Sequence, residues 1–163
     1  MPSVDAVSIV DMQSLDNAVN NIKREIATRF DFRSVKTEIT LDRKAKTIHI
    51  VTGDEWKAKT ISEMLIGQCT RQKVDAKSLD FGVVEVVSTT VARRDVRIRE
   101  GISKETGQKM VKFIKGLNLK VQPALLDSKV RITGKKIDDL QEIMRLLKEQ
   151  DYDVPLQFNN MKN

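Results

Sequence analysis

Cysteine is nearly missing from this chain: Cys69 stands alone among 163 residues, which excludes an internal disulfide and any cysteine-based zinc cluster. It falls near the end of a helix-patterned run, where the helix dipole would not activate a thiol, so it reads as buried and inert. His49 is the only histidine, and its strand-like surroundings favour a structural role over a catalytic one. Aromatic residues make up 4% of the chain, too few for the base-stacking rows that RNA-recognition sheets carry on their strands. No apolar run approaches the ~18 residues of a membrane span, and the N-terminus lacks the basic-then-apolar layout of a secretory signal. Neither a Walker-type phosphate loop nor a spaced-glycine dinucleotide fingerprint occurs. Asp138 and Asp139 are adjacent and point to different helix faces, which makes them poor partners for a metal. These absences lead to a cytoplasmic protein without a membrane segment, metal, cofactor or catalytic constellation.

What the chain does have is one pattern used twice. Leu15, Ala18, Val19, Ile22, Ile26 and Phe30 recur at helical spacing. Segments 35–41 and 47–51, rich in β-branched residues, flank a polar loop and read as a hairpin. Thr52-Gly53-Asp54-Glu55 fits a capping box ahead of a second helix through Ile61, Met64 and Leu65. A short strand at 79–81 closes the series. The second copy begins with a long extended stretch at 83–99. A helix with Met110, Ile114 and Leu117 on its core side follows, capped by Ser103. A hairpin at 121–126 and 129–133 leads to a last helix presenting Ile137, Leu140, Ile143, Met144 and Leu147, and an edge strand follows Pro155.

Strand, helix, strand, strand, helix, strand is the ferredoxin-like order shared with RNA-recognition domains. The expectation is therefore an α+β protein of two such βαββαβ domains, residues 1–83 and 84–163, with antiparallel sheets and helices on one face. The terminal strands could exchange, making one domain discontinuous. Phe30, Phe32 and Phe113 are expected in the core, and Trp56, at a helix start, as a cap over it or, second, as a stacking platform.

The net charge is +6, and the surplus is local: 13 basic and 4 acidic side chains lie between Arg93 and Lys136. Such a field attracts phosphate-bearing partners. Thr133-Gly134-Lys135-Lys136 sets two lysines where a strand gives way to a helix N-terminus, a place that favours anions. Arg131, Lys135 and Lys136 are thus candidate phosphate ligands, with Lys109, Lys112 and Lys120 adding field. Arg93, Arg94, Arg97 and Arg99 are candidate guanine readers, since a guanidinium matches the acceptors on a guanine edge.

An ordered set of segments then points to a known group. These are Pro2-Ser3 through Val10-Asp11, Arg29-Phe30-Asp31-Phe32, Leu119-Lys120-Val121-Gln122, Val130 through Lys136, Asp138-Asp139-Leu140-Gln141, and Pro155-Leu156-Gln157-Phe158. Over nearly its full length the chain resembles the YajQ family of bacterial proteins. The resemblance implies two ferredoxin-like halves and nucleotide binding. Some relatives are regarded as cyclic di-GMP receptors acting with a transcription factor, others as binders of nucleotides such as GTP or ATP, or of tRNA. Three readings stay open: a nucleotide receptor, a nonspecific RNA or tRNA binder, and an adaptor whose basic surface meets an acidic protein.

Overall fold

In the computed structural model, which describes residues 1–163, thirteen principal elements follow one another along the chain. They are β1 (Ser3–Val7), α1 (Met12–Thr28), β2 (Glu38–Asp42), β3 (Thr47–Thr52), α2 (Glu55–Arg71), β4 (Leu79–Phe81) and β5 (Glu85–Ser88), then β6 (Val91–Ile98), α3 (Lys104–Gly116), β7 (Val121–Leu126), β8 (Lys129–Gly134), α4 (Ile137–Glu149) and β9 (Gln157–Lys162). The fold is mixed α+β with two antiparallel sheets, ordered β7-β8-β1-β9 and β2-β3-β6-β4, and β5 pairs with β6 outside that path.

The opening strand settles where the second copy of the pattern lies. Because β1 runs between β8 and β9, one compact unit consists of Met1–Ile9 with Glu100–Asn163, and the other is Val10–Arg99. We call them the split unit and the continuous unit. In the split unit β1, α3, β7, β8, α4 and β9 make the ferredoxin-like series directly. The continuous unit reaches the same sheet order by permutation, with β6, its last strand, in the central place an opening strand would hold.

A boundary between residues 83 and 84 therefore does not separate the compact units; it falls inside Val10–Arg99, between β4 and β5. The physical reason lies in cross-strand pairing, which local periodicity does not encode. β6 alternates in burial, whereas β1 is buried on both faces from Val4 to Val7. β1 sets its one carboxylate, Asp5, opposite Arg131, and β6 sets Asp95 opposite His49. Cross-strand pairs of this kind favour one partner and register over others. The extended stretch expected at 83–99 is a hairpin, β5 turning into β6.

Each helix follows from its sequence signals. Asp11 caps α1, its side chain accepting from the amides of Gln13 and Ser14, and Leu15, Ala18, Val19 and Ile22 bury one stripe. Asp54, not Thr52, caps α2 by accepting from the Lys57 amide. Thr52 belongs to β3, where its hydroxyl bonds that of Thr37, so the expected capping box does not form. Ser103 caps α3. The α1 and α2 stripes pack on Ile39, Ile48, Ile50 and Val96. In the split unit Met110, Ile114, Leu140, Ile143 and Leu147 pack on Val4, Ala6, Val130 and Ile132. No helix is long and apolar enough to cross a membrane.

Cys69 lies fully buried in the α1–α2 core, and burial pushes its thiol up to about 11. An unfolded-chain thiol ionises near ~8.5. The stability gained by keeping Cys69 neutral is whole below that pH and is lost as pH rises toward the folded value, roughly 3 kcal/mol in all. Wild type should thus lose stability between about pH 8.5 and 11 more steeply than Cys69→Ala in denaturant titrations. A maleimide should leave the native thiol unlabelled at pH 8; rapid stoichiometric labelling would contradict this burial.

Candidate functional site

At one end of the split unit's sheet, strand pairing gathers lysines that are far apart in sequence. β8 ends at Gly134, which pairs with Val121 at the start of β7. A Cβ on Gly134 would come within 2.9 Å of the Val121 Cγ1 and 3.5 Å of the Lys120 carbonyl oxygen. That close approach sets Lys120 beside Lys135. The Gly134 amide donates to the Pro2 carbonyl (3.0 Å), fastening this end to the chain just before β1. Ser3 pairs with Thr133 on one side and Lys162 on the other, which adds a fourth lysine. Lys120, Lys135, Lys136 and Lys162 are all exposed.

Lys136 is the N-cap residue of α4 and gives the helix no side-chain capping bond. The first-turn amides are therefore not satisfied by a cap, while Asp138 and Asp139 in that turn offset the helix dipole. Four lysines against two carboxylates leave this end cationic, with backbone donors behind the charge.

Arg131 lies one register step inward and is already engaged. Its Nε donates to Asp5 Oδ1 (2.9 Å) and its Nη2 to Oδ2 (3.3 Å), while the Lys129 Nζ (3.1 Å) and the Asn160 Nδ2 (3.0 Å) also donate to Oδ2. The Asp5 side chain is only 2% exposed. The Arg131 hydrogen bond, with those of Asn160 and Lys129, holds its carboxyl well below the usual carboxylate range against the opposing effect of burial. Arg131 thus serves first as the partner of a buried acid. Two cations over one carboxylate leave one surplus positive charge on this face.

The remaining candidates disperse. Lys109 and Lys112 are exposed on α3, in the helix layer, whereas Arg131 faces the other side of the sheet. One phosphate cannot be gripped by both sets. The four arginines all belong to the continuous unit, Arg93, Arg94 and Arg97 on β6 and Arg99 just beyond it. Arg93 and Arg97 are exposed on the open sheet face. Arg99 pairs with Asp80 (3.4 Å). Arg94 turns to the helix side, where its Nε donates to the Gly82 carbonyl (2.7 Å) and its Nη1 to the Ser62 hydroxyl (3.1 Å), over the Phe81 ring. Its donors are thus engaged within the unit, while the side chain also lines a groove beside Arg93. With these arginines the continuous unit carries 17 basic and 13 acidic side chains, and the split unit 12 and 10. The larger surplus therefore lies in the continuous unit.

Two grooves mark the continuous unit. One, about 800 Å³, has Glu38, Glu85, Asp95, His49, Arg93 and Arg94 in its lining. The His49 Nδ1 pairs with Asp95 Oδ1 at 2.8 Å, and the mixed charges give the groove no preference for anions. The other lies beyond the end of α1, around Phe30. Here the aromatic expectations need correction. Phe32 is buried and Phe113 packs against the split unit's core, but Phe30 is 82% exposed and Trp56 76%. α1 ends at Thr28 and Phe30 opens a 3-10 turn, so the helical period no longer aims it inward. Trp56 falls in the first turn of α2, off the buried stripe.

The family described as "Nucleotide-binding protein YajQ-like" matches residues 2–162. A nucleotide-binding protein of Oleidesulfovibrio alaskensis is 52% identical over 163 residues, covering 100% of both chains. One from Dehalococcoides mccartyi is 54% identical over 162 residues and 99% of both chains. A third, from Cytophaga hutchinsonii, is 48% identical over 99% of this chain and 100% of its own.

Proposed function

The chain belongs to the YajQ-like family of nucleotide-binding proteins, and from that premise we propose a cytoplasmic, non-catalytic receptor that holds a nucleotide by its phosphates at the β8–α4 junction of the split unit. The observation that carries the reading is the convergence of Lys120, Lys135 and Lys136 around Gly134, at a helix start without a side-chain cap. Lys162 completes the cluster, and the Asp5-bound Arg131 and Lys129 extend its positive field along the open face. Lys109 and Lys112 contribute only long-range attraction.

Among nucleotides, cyclic di-GMP is the most specific candidate, ahead of GTP and ATP. Its two phosphates suit a cluster of exposed ammonium groups, which bind phosphate as point charges rather than by a shaped fork. A transcription factor would be the receptor's downstream partner.

Calorimetric titration with cyclic di-GMP, GTP, ATP and a short RNA at two salt concentrations tests this. The expected result is saturable one-site binding of a nucleotide that persists at the higher salt. RNA binding alone, collapsing steeply with salt as counterion release requires, would replace the receptor with a nonspecific RNA binder. No binding of any of the four would leave only the adaptor.

A further inference from the structure

We propose that the groove beyond α1 in the continuous unit is a second subsite, one that takes an unpaired nucleobase stacked on Phe30 with its phosphate held by Lys23 and Arg33. The groove has a volume of about 600 Å³. Its lining includes Lys23, Arg29 and Arg33 and no carboxylate-bearing side chain. Arg29 is taken up by Asp31, to which its Nε and Nη2 donate at 2.9 and 2.8 Å. Lys23 and Arg33 are exposed, and neither is held in an ion pair.

Phe30 is the unusual member. In a chain with few aromatics, its ring is left 82% exposed while Phe32, two residues on, anchors the same turn in the core. That anchor ties the turn beneath the ring to the core. The Arg33 guanidinium stands 5.9 Å from the Phe30 ring centroid, close enough to meet the phosphate of a base stacked on the ring's other face. Ser34, held at φ +64°, closes the turn and adds a hydroxyl to the wall.

An exposed ring flanked by cations outside any ion pair is what sequence-tolerant recognition of single bases uses: stacking on the ring, with cations for the backbone. The ligand chemistry, a base carrying a phosphate, could come from a free nucleotide or from a single-stranded RNA. The subsite is independent of the lysine cluster, and the test separates the two.

Fluorescence anisotropy of the full chain with labelled oligoadenylate, and competition with unlabelled ATP and GTP, would be measured for wild type, Phe30→Ala, Phe30→Trp, Arg33→Ala and Lys135→Glu/Lys136→Glu. Phe30 is exposed, so its variants should unfold with wild-type midpoints. Phe30→Ala is expected to weaken binding at least fivefold, in line with the loss of one base stack, while Phe30→Trp keeps or tightens it. Loss confined to the oligonucleotide identifies a single strand as the source. Loss that extends to the mononucleotides identifies a free nucleotide. Wild-type affinity in folded Phe30→Ala, or no binding by wild type, overturns the subsite. Because Lys135→Glu/Lys136→Glu leaves this groove intact, a Phe30 effect that survives in that background is expected even if the lysine cluster proves empty of function.

Discussion

Asp5→Ala is expected to lower the stability of the split unit by about 3 kcal/mol at pH 7, on the scale of hydrogen bonds to a charged group. Four donated hydrogen bonds from Arg131, Lys129 and Asn160 end on this one carboxylate, in the central strand of the sheet. Removing it leaves two cations facing each other with nothing between them. Asp5→Asn keeps the shape but turns one acceptor into a donor, so it should recover only part of the loss. Since the folded carboxyl is held below its ordinary range, its contribution is present above the unfolded value of about 3.9 and is lost as pH falls beneath it. The gap between wild type and Asp5→Asn in urea titrations should therefore be constant from about pH 5 to 8 and shrink steadily below about pH 4. A gap that stays unchanged in acid would mean that the charge on Asp5 does not stabilise the fold.

Lys135→Glu/Lys136→Glu is expected to weaken nucleotide binding on the order of 100-fold, as losing two charge-assisted contacts implies. The variant is informative because it should fold normally: both positions are exposed, and carboxylates at a helix N-terminus are favourable. An unaltered thermal midpoint with lost affinity places the phosphates at this junction. Unaltered affinity in the folded variant removes them from it.

The class of fold was legible because it depends on local signals. Leu15, Ala18, Val19 and Ile22 spell a helix face, and 47–51 spells a strand, whatever else the chain does. The home of β1 was legible only as an alternative, the pairing of the two terminal strands that makes one unit discontinuous. Local pattern could not choose it, because the contacts that hold β1, such as that of Asp5 with Arg131, lie 126 residues apart in sequence. The same reasoning covers the site. Lys135 and Lys136 could be found because a Gly-Lys-Lys step after a β-branched strand is itself a local pattern. Lys162 and Lys129 join through sheet pairing and left no trace in spacing. Arg94 read as a candidate guanine reader alongside Arg93, because sequence does not say that its donors are taken by Gly82 and Ser62. Phe30 read as core because the apolar stripe of α1 was carried one turn past the point where the helix stops.

Titration of the isotopically labelled chain with cyclic di-GMP, GTP and ATP, followed amide by amide in NMR spectra, tests the central claim most directly. Saturable shifts concentrated at Lys120, Gly134, Lys135, Lys136 and the first turn of α4 are the expected result. Saturable binding that leaves those amides unmoved would contradict it.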